Sequence, residues 1–190
     1  MLKRLWERMF SARYLVVTNS TTTTGLFGFG DILQQKVIEK RESIDWPRAG
    51  RMAAMGLLIG PLNHYWYVFL DRRWPGKTHR LVLTKVLLDE IAYAPVGTTV
   101  FYIGMGTLEK RSLSSSVAEL REKFLPTYMA DWQFWPAVQL INFYFVPTPY
   151  RVLVVNLATL CWNVFLSYMK HTPRGEATSK EHGVGTSVDT

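Results

Sequence analysis

A single cysteine, Cys161, in 190 residues excludes an internal disulfide. Its apolar neighbours in sequence make it read as a small buried hydrophobe and not a reactive thiol. The four histidines, His64, His79, His171 and His182, show no HxxEH or other ligand spacing, so neither a metal site nor a cofactor is expected. No nucleophile elbow and no P-loop occurs. Gly25, Gly28 and Gly30 have neither the spacing nor the preceding strand that a dinucleotide-binding turn needs. Without a recognisable set of acid, base and nucleophile, the chain reads as a non-enzyme. Acids are also in deficit, 15 Asp and Glu against 22 Lys and Arg, for a net charge of +7. The bases are spread over arm, loops and tail instead of forming one aromatic-interleaved patch. Lipid headgroups are therefore the expected partner, and no direct nucleic-acid site is evident.

What is present is apolar and aromatic: 48% and 14% of the residues. The mean hydropathy of +0.01 is low for a membrane protein, but polar ends dilute it. Residues 1–13 form a basic amphipathic arm, with Leu2, Leu5, Trp6, Met9 and Phe10 on one helical face and Lys3, Arg4, Arg8 and Arg13 largely on the other. This pattern suits an interfacial helix or a mitochondrial address. Residues 14–170 read as a membrane helical domain and 171–190 as a disordered polar tail.

Within the domain, Thr18 to Thr24 interrupts the first apolar stretch, each hydroxyl being able to bond the backbone one turn back. Asp45-Trp46-Pro47 opens the second helix with a cap and a first-turn proline. Gly56-x-x-x-Gly60 within an apolar stretch predicts close helix packing. The third helix, Leu81 to Leu108, is expected to kink or break near Pro95, with Asp89 and Glu90 well inside it. Ser116-x-x-Glu119 has capping-box spacing and starts an amphipathic surface helix. There Val117, Leu120, Phe124 and Tyr128 lie opposite exposed Glu119, Arg121, Glu122 and Lys123.

The densest signal is Asp131 to Arg151. Trp132, Trp135, Gln139 and Asn142 recur on one stripe of a short half-buried helix that Pro147 ends. Arg151 falls in the first turn of the next helix, where the positive end of the dipole opposes a cation and calls for a carboxylate, Asp89 before Asp31, Glu90 or Asp71. The fold expected is all-α, an integral bundle of about four transmembrane helices plus the surface helix and the half-buried one, with both chain ends on one side. Lys and Arg number twelve on one side and ten on the other, too even to orient it.

Several ordered motifs carry a resemblance. They are Gly30-Asp31 with Gln34, Gly60-Pro61-x-x-His64-x-Trp66-Tyr67-x-x-Leu70-Asp71, Lys85 with Asp89, Ala94-Pro95, and Trp135-Pro136-x-x-Gln139-x-x-Asn142-Phe143-x-x-Val146-Pro147-x-x-x-Arg151. In these the chain resembles the Mpv-seventeen and peroxisomal membrane protein family of small four-helix organelle proteins. Leu120-Arg-Glu-Lys-Phe124, Ala130-Asp-Trp132 and Leu166-Ser-Tyr168 are most similar to its second Mpv-seventeen-like branch. The resemblance implies a multi-pass protein of the mitochondrial inner membrane, with the peroxisomal membrane as alternative. It also implies a role in mitochondrial ribosome assembly and translation, with a ribosomal subunit and the lipid bilayer as partners and a homo-oligomer open. The alternative is a non-selective channel affecting membrane potential, oxidative stress and mitochondrial DNA maintenance. Asp31, Gln34, His64, Asp89, Glu90, Gln139, Asn142 and Arg151 are the candidates for intrabundle polar contacts or a pore lining. Gly56, Gly60, Trp135, Pro136 and Pro147 are the candidates for helix packing. Glu90 stands where the family usually has glutamine, which adds a charge to the bundle.

Overall fold

The computed structural model describes residues 14–76, 78–145 and 151–171, with the side chains of 142–144, 151–153 and 156 left aside. The arm, the tail beyond His171 and Pro147 fall outside these residues, as do the side chains of Asn142 and Arg151. Every regular element described is helical. Helix α1 spans Leu15–Leu33 and runs on through a wide π turn, Gln34–Ile38. Helix α2 spans Trp46–Arg73, α3 His79–Leu108, α4 Leu113–Tyr144 and α5 Arg151–His171.

Local chemistry accounts for much of this. Asp45 accepts a hydrogen bond from the Arg48 amide at 2.9 Å and Pro47 follows in the first turn, so α2 begins where the sequence predicts. The hydroxyls of Ser20, Thr21, Thr23 and Thr24 donate to carbonyls four residues back, at 2.7–2.8 Å, so the polar stretch satisfies itself without leaving the helix. In α3 the expected kink at Pro95 is a π turn, Asp89–Tyr93, and the helix continues through it. The wider turn accommodates a ring that supplies no N–H and crowds the carbonyl four residues back.

Helix α4 corrects the expected division into a surface helix and a separate half-buried one. Both are one helix of 32 residues, with Pro126 and Pro136 inside it. Its cap is Ser112, which accepts from the Ser115 amide at 3.2 Å, and not Ser116, which is buried against Gly106 of α3. Proline inside a helix costs about 3 kcal/mol, and antiparallel packing of α4 along α3 and α5 offsets that.

Successive helices run antiparallel, and the pairs of touching residues fix the order of the ends. Gly56 meets Thr24, and Gly60 meets Ser20. Trp66 reaches Asp89, Tyr102 reaches Thr127, and Trp162 stacks on Phe134. Five alternating helices put Tyr14 at one end of the bundle and His171 at the other. Helix α5 lies parallel to α1, with Asn163 at Gly30 and Ser167 at Asp31. The core between them is Phe27, Met52, Met55, Ile59, Phe101, Tyr102, Met105 and Leu166.

The outer surface is apolar in an unusual degree. Val17, Phe29, Leu57, Leu58, Phe69, Leu83, Leu87, Ile91, Val96, Leu125, Leu140 and Leu157 are all exposed, while Asp31, Gln34, Gln35, Arg48, Glu90, Glu119, Asp131 and Asn163 are buried. Cys161 is exposed too, against expectation, because it lies on the outward face of α5 beside Phe134 and Trp162. Among the described residues one helix, His79–Leu108, is long and apolar enough by itself to cross a membrane.

Candidate functional site

The buried polar residues collect in two layers. The first lies at the bundle end where α1 finishes, α2 starts and α5 finishes. Arg48, in the first turn of α2, is 2% exposed and sends Nε to Asp31 Oδ1 at 2.8 Å and Nη1 to Glu39 at 2.7 Å. Its Nη2 donates to Ser167 Oγ at 3.0 Å, and Ser167 donates to Asp31 at 2.5 Å. Gln35 donates to the other Asp31 oxygen at 2.8 Å and accepts from the Asp45 amide at 2.6 Å. The π turn is what turns both Gln34 and Gln35 inward, and Gln34 Oε1 has no partner there. One carboxylate thus joins three helices and the loop between two of them.

Beside it, at the same end, Glu119 accepts from Arg111 and, at 2.7 Å, from Lys170, with Lys123 Nζ 3.4 Å away. Lys170 also reaches Glu109 at 3.0 Å, and Lys123 donates to the Lys170 carbonyl at 2.8 Å. Glu119 and Lys123, expected on the solvated face of a surface helix, are therefore buried, because α5 ends against that face. Burial pushes the Glu119 carboxyl up, but the hydrogen bond and charge of Lys170, with Lys123 and Arg111, outweigh it and hold the group below the ordinary carboxylate range. Glu39 follows the same logic: burial is overcome by Arg48 and Arg41. Lys123 is pushed down by burial despite Glu119, and His171 is pushed down by burial and then by Arg48.

The second layer lies deeper, between α2, α3 and α4. Asp89 accepts from Trp66 Nε1 at 2.8 Å and from Tyr67 OH at 3.2 Å. The partners seen for this carboxylate are thus an indole and a phenol, where a guanidinium was expected. Asp71, another candidate for Arg151, is 2.6 Å from Lys85 Nζ. Arg151 does open α5. Tyr93 OH donates to Asn63, and His64 Nδ1 meets Asn19 Nδ2 at 3.2 Å. Glu90 is hydrogen-bonded to Asp131, and its backbone carbonyl accepts from Tyr128 at 3.2 Å. Gln139 and Pro136 line a cavity beside Glu90, and Trp135 packs edge-on against Trp162 with ring centres 6.2 Å apart.

The packing glycines are where the sequence put them. A β-carbon on Gly56 would stand 2.5 Å from the Thr24 Cα, and one on Gly60 2.6 Å from the Ser20 Cα, so the two backbones touch. Gly30 does the same toward α5, where an added carbon would meet Asn163 Cβ at 2.8 Å.

Sequence reasoning missed Arg48, Gln35, Ser167, Lys170 and the inward role of Glu119. Arg48 carried a usable signal: it too lies in a first turn, where the dipole disfavours a cation. The others become neighbours only when α5 returns to the end where α1 finishes. Among the described residues no group of three or more His, Cys, Asp or Glu is arranged to hold a metal ion. Chemically, the two layers cross-link helices.

The sequence profile of the Mpv17 / PMP22 family matches residues 106–167. The chain is 38% identical over 174 residues to the mitochondrial inner membrane protein Mpv17 of Bos taurus, covering 90% of this chain and 98% of that one. It is 38% identical to protein sym1 of Aspergillus oryzae, covering 85% and 94%. To PXMP2/4 family protein 4 of Dictyostelium discoideum it is 34% identical, covering 83% and 87%. No solved structure matches.

Proposed function

Since the chain belongs to the Mpv17 / PMP22 family, we propose that it is a multi-pass protein of the mitochondrial inner membrane. In this reading it is a non-catalytic scaffold that supports ribosome assembly and translation at that membrane. The name of the bovine relative supports the location. Physical support for membrane embedding is the inverted polarity of the bundle, with large apolar side chains outward and charges inward, which lipid tolerates and water does not. The four expected crossings correspond to α1, α2, α3 and α5. Antiparallel to both neighbours, α4 is a fifth, since about 48 Å of helix can cross and still leave its charged first turns, through Lys123, outside the bilayer core.

The observation that carries scaffold over channel is the pairing of two of the would-be pore residues, Asp31 and Asp89, with protein groups. Asp31 is taken by Arg48, Ser167 and Gln35, and Asp89 by Trp66 and Tyr67. A conducting path needs such groups hydrated. The charged end of the bundle offers a surface for a matrix assembly. The test has two arms. Purified protein in planar bilayers should add no discrete conductance, and depletion in cells should shift mitochondrial ribosomal subunits on a density gradient. Stepwise conductance with unchanged ribosomes would favour the channel reading.

A further inference from the structure

Between α3 and α4 lies a cavity of about 260 Å³ whose walls include Val82, Val86, Trp132 and Pro136, with His79, Glu90 and Gln139 as polar lining. Glu90 is 1% exposed, and its Oε2 has no hydrogen-bond partner. The groups around it do not relieve this. Asp131 and Asp89 are also acids, against one histidine, His79, in the cavity lining. Glu90 and Asp131 are hydrogen-bonded to each other, and two carboxyl groups meet so only around a shared proton. The cavity therefore combines apolar walls, a buried acceptor lacking a donor and a local excess of acid.

We propose that this cavity binds a small lipophilic amine, with its nitrogen on Glu90 and its hydrocarbon body against Val82, Val86, Trp132 and Pro136. An amine suits all three features at once. It supplies the missing donor, its charge answers the acids, and its body fills the apolar walls. An alcohol would supply a donor without charge, and a carboxylate would be repelled. The amine enters from lipid uncharged. On arrival the proton held between Glu90 and Asp131 passes to nitrogen, an O–H bond breaking as an N–H bond forms, and the ammonium hydrogens bridge the two carboxylates in its place, so the site gains no net charge. At this volume the occupant is smaller than a drug-sized ligand, which needs about 300 Å³ or more. The proposal is independent of the ribosome reading, because it concerns only the α3–α4 interface.

The test uses the full chain in lipid nanodiscs with n-hexylamine as probe and n-hexanol and hexanoate as controls. Two quantities are read: the unfolding midpoint, and modification of Glu90 by dicyclohexylcarbodiimide, located by mass spectrometry. Hexylamine should raise the midpoint by about 3 °C and cut labelling of Glu90 about fivefold, and the controls should do neither. The Glu90→Gln variant should lose the thermal shift. Val86→Trp fills the cavity and leaves all three acids in place, so it should remain labelled and no longer be protected. Equal stabilisation by hexanol, or amine protection that survives Val86→Trp, would overturn the proposal.

Discussion

Arg48 occupies a position hostile to a cation, the first turn of a helix, and is buried there as well. Asp31 makes it tolerable, and neither is stable without the other. Arg48→Gln and Asp31→Asn should each cost about 3–5 kcal/mol, because each strands a buried charge. The double variant should lose less than the sum, read from unfolding of the purified protein in detergent. Glu119 allows a second prediction, with a direction in pH. Its carboxyl is held below the ordinary value of 4.5, so the stability it contributes is complete above pH 4.5 and disappears as pH falls through the depressed value. The gap in melting temperature between wild type and Glu119→Gln should therefore be constant near neutrality and close in acid. The need for a carboxylate opposite a first-turn arginine was legible in the sequence. It was read there for Arg151, whose side chain lies outside the described residues, and the Arg48–Asp31 pair was not read, because the two meet only after the chain turns back through the 39–45 loop.

Among the elements, α1 and α2 are held at backbone contact by Gly56 and Gly60, and this was legible because GxxxG acts through spacing on a single helix. Gly60→Ala should force the pair apart and cost about 1–3 kcal/mol. Gly25→Ala, with nothing within 4 Å of the added carbon, should be neutral or stabilise by up to about 1 kcal/mol. Thermal unfolding of the two variants side by side checks both. Caps and hydroxyl back-bonds were legible for the same reason, since their partners lie within four residues. The two π turns were not, because each depends on what the inward residues must reach: Asp31 and Asp45 for Gln35, Asp131 for Glu90. Nor was the unity of α4. Pro126 and Pro136 are breakers in isolation, and only the flanking helices show that the chain goes straight through.

At the scale of the whole molecule, whether five helices cross or four decides which side each end of the chain faces. Epitopes before Tyr14 and after His171 should be digested by protease from opposite sides of the membrane. In a Cys161→Ser background, an impermeant maleimide should label Ser43→Cys and Lys110→Cys from one side and Thr78→Cys from the other. Digestion of both epitopes from the same side would show that α4 does not cross. The apolar surface and the helices were readable in the sequence, but the length of α4 was not, because it is too polar in its first half to read as one element with its second. The charged end of the bundle adds a consequence in time. Asp31 and Arg48 are made early and can pair as soon as α2 follows α1, but Ser167 and Lys170 belong to the last helix synthesised. Until that helix arrives, Asp31 lacks one donor and Glu119 lacks its ammonium partner from α5. A nascent chain halted after α4 therefore holds two incomplete charged networks at the same end, which would mark it to quality-control proteases as unfinished. Completion of the protein and closure of its polar end are then a single event.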